Sequence, residues 1–460
     1  MSNSILPLAA IQHALETGAT RAVSLTEQTL ARIADPTGEG HATFLQVYEA
    51  QALAAAHASD LLRQAGFKRS ALEGIPISIK DLFDYEGDIT KGASIVRNAA
   101  PAATKNATIV QRLINAGAII IGRTNMTEFA FSGLGMNPHY GTPKAPWQRE
   151  LNGGHIAGGS SSGAAVSVAD GMAVAAIGTD TGGSIRIPAA FCGITGFKPT
   201  AARLPTDGVM PLAPTLDSSG PLAPTVACCA AVDAVLRAAP EPELQQLPLT
   251  ELRFLWPTNY VMQHADATVQ RDFEAAVARL EAAGAQIERK EVALLDELPY
   301  LNRLGGFVCA EAWHYHQAQL EAHPEQYDPR VASRILLGQQ QSAADYITLQ
   351  QARTRWIAQM VAVLAPYDGL IMPTTPIVPP TIAELADEKA YFRANGRILR
   401  NPAIINFLDG CALSMPCHPA NGAPVGFMLA APAQHDAHLL NVGYSIESVI
   451  AHPANLASPE

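Results

Sequence analysis

Two short loops constrain this chain more than any other stretch. Ile156-Ala157-Gly158-Gly159-Ser160-Ser161-Ser162-Gly163 is followed downstream by Asp180-Thr181-Gly182-Gly183-Ser184-Ile185-Arg186. Both are rich in glycine and carry hydroxyl groups. A glycine pair before a serine lets the backbone come close to a ligand without Cβ interference. Successive backbone N–H groups in such a turn can form an anion-binding nest. Between the loops lie a helix-sized run of small residues, Ala164 to Asp170, and a strand-sized apolar run, Met172 to Ile177. The loops therefore read as two walls of one site, and the site as an active site.

The flanking sequence predicts an α/β architecture. Gly74-Ile75-Pro76-Ile77-Ser78-Ile79-Lys80-Asp81 alternates like a short strand ending at Lys80. Ala107 to Ala116 reads as a helix stopped at Gly117, and Ala118 to Gly122 as a buried strand. Strand, helix, strand in that order is the α/β signal. Asn125-Met126-Thr127-Glu128-Phe129 then reads either as a polar turn where open α/β sheets place ligands or, equally, as a helix start.

Further helices are predicted after the capping pattern Ser24-Leu25-Thr26-Glu27, over Glu49 to Ala65, and over Thr268 to Ala283. The apolar side expected for the second comprises Ala50, Leu53, Ala54, His57, Leu61 and Ala65, with His57 in the core. Ala310 to Leu364 is mostly helical, with a cap at Ser342, and a closing helix runs from His435 to Ile450. Leu252 to Trp256, Gln286 to Val292, Gly369 to Met372 and Pro424 to Leu429 are strand candidates. Pro199 to Pro224, rich in Pro, Gly, Thr and Ser, is expected to cross the surface near the site. No internal repeat or flexible linker divides the chain.

Composition closes off other classes. With 460 residues, 48% hydrophobic and 16% charged, a large core is easily supplied. A net charge of −11 argues against nonspecific nucleic-acid binding, which needs clustered Lys and Arg. No apolar run approaches the roughly 18 residues that span a bilayer, and no basic run marks a membrane-surface helix. Met1 to Ala10 lacks a basic n-region, so no signal peptide is expected. The six cysteines form no C-x-x-C pair, so they are expected as buried, reduced thiols of a cytoplasmic protein.

The chemistry begins at Ser184. The N–H groups of Thr181, Gly182, Gly183 and Ser184 could converge on one point, as an oxyanion hole requires. A serine hydroxyl needs a base to become a nucleophile, yet G-x-S-x-G is absent and the 13 histidines offer no obvious partner. Lysine is scarce, with eight in the chain, and Lys80 sits at the mouth of an apolar strand. Desolvation there would lower its pKa and free the neutral amine as a base, whereas a surface or salt-bridged lysine would do neither. A serine of the first loop could relay a proton between Ser184 and Lys80.

On these residues the chain resembles the amidase signature family. Gly158 to Gly163 and Gly178-Thr179-Asp180-Thr181-Gly182-Gly183-Ser184-Ile185-Arg186-Ile187-Pro188-Ala189 look like its signature, and Gly74 to Asp81 like its upstream lysine motif. Thr195 to Thr200 and Pro424 to Phe427 match weaker landmarks, so the resemblance spans almost the whole chain. It implies a single α/β/α domain over residues 1–460, with a mixed, largely central β-sheet covered by helices. Within it, 1–70 would be N-terminal helices, 75–230 the signature core, and 300–410 the pocket helices and loops.

The resemblance makes Ser184 the acyl-forming nucleophile, Ser160 the bridging serine beside a cis peptide bond, and Lys80 the general base. Thr181, Gly182, Gly183 and Ser184 would hold the oxyanion. Asp180 and Arg186 would orient the loop. Met126, Phe131, Gly133 and Ser161 are pocket candidates, with Trp313, Tyr315 and Phe407 as aromatic ones.

The implied activity is hydrolysis of the C–N bond of a small carboxamide (aryl, ureido or carbamate compounds included), with no metal or cofactor. The alternative is the glutamine-hydrolysing component of a tRNA-dependent amidotransferase. The expected partner is a small-molecule amide, with a homodimer as one assembly option. Three positions depart from the family pattern: Ser162 in place of a glycine, Lys91 as a rival base or pocket charge, and a titratable His155 before the first loop. A phosphate-binding loop and a serine β-lactamase are disfavoured, because neither G-x-x-x-x-G-K-[ST] nor S-x-x-K occurs.

Overall fold

Short apolar runs separated by glycine and proline turns form eleven strands in the computed structural model, which describes residues 6–452. They are β1 (Phe44–Val47), β2 (Pro76–Lys80), β3 (Ile119–Thr124), β4 (Ala175–Asp180), β5 (Thr195–Lys198) and β6 (Ser218–Ala223). The second half adds β7 (Arg253–Pro257), β8 (Gln286–Lys290), β9 (Gly369–Pro373), β10 (Cys411–Pro416) and β11 (Gly426–Ala431). All join one sheet in the order β1-β3-β2-β4-β6-β5-β10-β11-β9-β7-β8. The order places β6, β5 and β10 in the middle. β2 pairs in parallel with β3 and β4, and β7 with β8 and β9, while the remaining ladders are antiparallel.

This is the expected α/β fold, a single domain with a mixed sheet covered by helices. Residues 1–5 and 453–460 of the span assigned to that domain lie outside the described residues. Every residue of β2, β3, β4 and β6 is buried, as expected for strands covered on both faces. The helix Ala267–Ala282 turns Val269, Phe273, Ala276, Val277 and Leu280 inward against the second half of the sheet. All six cysteines are buried and unpaired. Among the described residues, no helix is long and apolar enough to cross a membrane.

Three local expectations fail for physical reasons. Pro199 to Pro224 does not stay on the surface, because its last residues become β6, a buried strand between β4 and β5. Ser218-Ser219-Gly220-Pro221 has little β propensity, and proline is rare inside sheets. β5 pairs with β6 only at Leu222 and Ala223, so Pro221 meets no ladder partner on that flank and its missing N–H costs no bond there.

The capping box at Ser24 is not used. The helix starts at Ala22, and the Asp60 carboxylate from another helix takes the Ala22 and Val23 N–H groups at 2.8 and 3.2 Å. The helix Glu49–Gln64 buries Ala52, Ala56 and Ser59, leaving His57 and Leu61 exposed. Small side chains let it lie close against the helix Ala22–Ala34 and β3, so its leucines did not mark the inner face.

Candidate active site

The site is built at the C-terminal ends of the parallel strands, where ligands gather in open α/β sheets. Lys80 is the last residue of β2 and is fully buried. Its Nζ donates to Ser160 Oγ and to Thr179 Oγ1, each at 2.7 Å. Thr179 comes from β4, beside β2. Burial removes the ammonium from water and pushes its pKa down to about 7, against the pull of Asp180 and Asp217. The neutral amine is therefore well populated at neutral pH.

The first loop holds Ser160 from three sides. The Gly159–Ser160 peptide bond is cis. Gly159 N–H donates to Gly133 O at 2.8 Å, and Thr127 N–H donates to Ser160 O at 3.1 Å. A Cβ at Gly159 would lie 2.6 Å from Gly135 N, so no larger residue fits. Ser161 N–H donates to Ser184 O at 3.2 Å, which ties the two loops together.

Asp180 organises the second loop. Its Oδ1 accepts the Gly183 N–H at 2.8 Å and its Oδ2 the Ile185 N–H at 3.1 Å. Arg186 grips both oxygens, Nε to Oδ2 at 3.0 Å and Nη2 to Oδ1 at 2.8 Å, with both side chains fully buried. Asn406 Nδ2 adds a bond to Oδ1 at 2.9 Å. Burial alone would raise this carboxyl. The Arg186 charge and hydrogen bonds, helped by Lys198 and Asn406, instead hold it well below the usual carboxylate range. The expected orienting role of Asp180 and Arg186 has this geometry beneath it.

Ser184 is almost buried and lines a cavity of about 500 Å³ together with Thr181 and Gly182. Among the described residues the Thr181, Gly182 and Ser184 amides have no acceptor within the chain. Gly183 differs from the expectation, because its N–H is committed to Asp180. The backbone there has φ +124°, and a Cβ would lie 2.6 Å from Pro402 Cβ, so glycine is required. The Thr181 hydroxyl donates to Asp217, whose carboxyl burial pushes upward despite that bond and the Leu212 and Ala213 N–H groups.

Of the four pocket candidates, Phe131 lies on the cavity wall. Met126 packs in the buried cluster around Phe129, Gly133 N–H is held by Asn395 Oδ1 at 2.9 Å, and Ser161 Oγ donates to Thr179 O at 3.3 Å. These three lie behind the wall because their groups serve packing or backbone bonds. Phe407 also lines the cavity, whereas Tyr315 lines a neighbouring one and Trp313 packs against the Phe129 cluster.

Lys91 does not reach Ser160; its backbone N–H faces Asp81 at 3.5 Å. His155 donates from Nδ1 to Pro379 O at 2.6 Å and stacks near Trp147, 4.2 Å between ring centres. Thr179, Asn406 and the two cavity arginines, Arg334 and Arg400, were not anticipated. Thr179 was within reach of sequence reasoning, one residue before Asp180 on a strand beside Lys80. Among the described residues, no group of three or more His, Cys, Asp or Glu is placed to hold a metal ion.

Comparison with known proteins gives this geometry its family. Residues 24–440 match the family model described as Amidase. The 2-amino-5-chloromuconic acid deaminase of Comamonas testosteroni is 35% identical over 94% of this chain and 96% of its own length. The A component of the glutamyl-tRNA(Gln) amidotransferase of Marinomonas sp. (strain MWYL1) is 32% identical over 92% of this chain and 93% of its own. A crystal structure described as amidase superposes with a TM-score of 0.86 at 30% identity, covering 96% of this chain and 99% of that one. The chain belongs to the Amidase family, and its activity is that of a hydrolase acting on amide C–N bonds.

Proposed function

We propose that the chain hydrolyses a small carboxamide through an acyl-enzyme on Ser184. Neutral Lys80 accepts the proton of Ser160, and Ser160 accepts that of Ser184 as its Oγ attacks the amide carbon. The carbonyl oxygen becomes an oxyanion held by the Thr181, Gly182 and Ser184 N–H groups. Collapse breaks the C–N bond, and the leaving nitrogen takes a proton returned through Ser160 from the Lys80 ammonium. Water then attacks the ester carbonyl by the same relay and releases the acid. The observation that carries this reading is the 2.7 Å bond from a buried, pKa-lowered lysine to Ser160.

Ser184→Ala tests it. Turnover of a panel of aliphatic, aryl and ureido amides should vanish, together with any acyl adduct seen by intact-protein mass spectrometry, while circular dichroism stays unchanged. Wild-type turnover in Ser184→Ala would sink the mechanism.

The similarity to the amidotransferase component supports a second reading, glutamine hydrolysis that delivers ammonia to a partner protein. Glutamine turnover that appears only with such a partner would favour it. Turnover of simple amides by the purified chain on its own would rule it out.

A further inference from the structure

The cavity beside Ser184 has an electrostatic character that amide hydrolysis does not demand. Among the described residues, its only charged lining ones are Arg334, from the helix Pro329–Leu337, and Arg400, from the helix Glu388–Phe407. Acids outnumber bases in this chain, 42 to 31, and some arginines find them, while others such as Arg353 and Arg279 are met by backbone carbonyls. Arg123 pairs with Asp81, Arg186 with Asp180, and Arg203 with Asp233.

Among the described residues, neither cavity arginine pairs with a carboxylate. Arg334 donates to Phe131 O and lies over that residue's ring, 4.3 Å from its centre. Arg400 donates from Nε to Asn401 Oδ1 at 3.3 Å and from Nη2 to Val261 O at 3.2 Å. These partners are neutral, and they leave each five-donor guanidinium with N–H groups to spare. What sets these two apart is that both share the wall of the cavity that holds Ser184, where two cations together offer counter-charge to an anion entering from outside. Much of the remaining wall is apolar, including Leu212, Leu216, Leu298, Leu399 and Ile404.

We infer that the substrate is an amide that also carries a carboxylate on a short hydrocarbon body, and that Arg334 and Arg400 bind that carboxylate. The inference rests on the amidase reading for the reacting end of the molecule and adds the group at the other end. The planar guanidinium fork matches two carboxylate oxygens, and its charge survives partial burial.

Matched substrates test it on the purified full chain. Succinamic acid is set against butanamide, and 4-carbamoylbenzoic acid against benzamide, with kcat/KM measured for each. In at least one pair the acid should be favoured by about 100-fold, the scale of a desolvated charge-assisted contact. Arg400→Gln and Arg334→Gln should each cut that preference at least about tenfold, mainly through KM. Neutral members turned over as well as the acids would overturn the inference while leaving the amidase reading intact.

Binding gives a reading independent of turnover and of the arginine variants' folding. Succinate and terephthalate should raise the melting temperature of Ser184→Ala, and their neutral diamides should not. Carboxylate binding without any amide turnover would keep the anion site and sink the amidase reading. Equal shifts from acids and diamides would overturn the anion site.

Discussion

Two buried lysines end strands of the same sheet, and only one of them meets partners that can pass a proton on. Lys198 ends β5 as Lys80 ends β2, and both side chains are buried. Burial, reinforced by the Arg186 charge, pushes Lys198 down to about 8, and burial pushes Lys80 down to about 7. The difference lies in the partners. Lys198 Nζ donates to two carbonyls, Pro199 O at 2.8 Å and Gly410 O at 2.6 Å. Carbonyl oxygens only accept, so Lys198 must present N–H groups in either protonation state.

Lys80 faces two hydroxyls, and a hydroxyl can reverse its role. Once Lys80 is neutral, the Ser160 O–H can turn to its lone pair and pass a proton on. A lowered pKa makes the amine available, and a reversible partner makes it useful.

The largest expected effect tests that distinction directly. Lys80→Met should lower kcat by about 10²- to 10⁴-fold, the usual contribution of a positioned acid–base group. Its melting temperature should change little, because relief from burying an amine offsets the two hydroxyl bonds left unmet. Lys198→Met should do the reverse. It strips a donor from two carbonyls at about 1–3 kcal/mol for each buried group left unsatisfied, read by urea unfolding. Turnover per folded molecule should fall by less than about tenfold, since no relay passes through it. Equal losses of kcat in the two variants would break the comparison.

The pH profile sharpens it further. The proposed base role requires neutral Lys80, so kcat/KM should fall about tenfold per unit as pH drops below about 7 and level off above it. Lys198→Met should leave that limb in place. A profile flat from pH 5 to 8 would remove Lys80 from the base role.

The same contrast shows which parts of the site were legible. Lys80, Ser160 and Ser184 stand in contiguous motifs whose glycines and hydroxyls announce a tight polar turn, so local chemistry points to them. Asn406 reaches Asp180 across 226 residues of chain, and no local pattern marks it. Arg334 and Arg400 look like ordinary surface cations on helices, and only the cavity they share distinguishes them. In the fold, strands rich in β-branched residues such as β2 and β3 were read correctly. β6 was not, because its burial comes from neighbouring strands and overrides its Ser, Gly and Pro composition. The inner face of Glu49–Gln64 was misread for a related reason: close approach selected alanine and serine where hydrophobicity selected leucine.

The smallest expected effect separates the two serines that the first loop offers as bridge. Ser160 Oγ holds the Lys80 bond, whereas Ser162 begins the helix Ser162–Ala169 with its Oγ buried and, among the described residues, without a partner. Ser162→Ala therefore breaks no hydrogen bond and removes a hydroxyl whose unsatisfied burial costs about 1–3 kcal/mol. Stability should hold or rise by about 1 kcal/mol, and kcat should stay within about threefold, against a loss of about 10²- to 10⁴-fold for Ser160→Ala. Steady-state assays of both variants decide the matter. A deep loss in Ser162→Ala with Ser160→Ala spared would move the relay two residues along the chain, and Lys80 would then have to leave Ser160 to reach it.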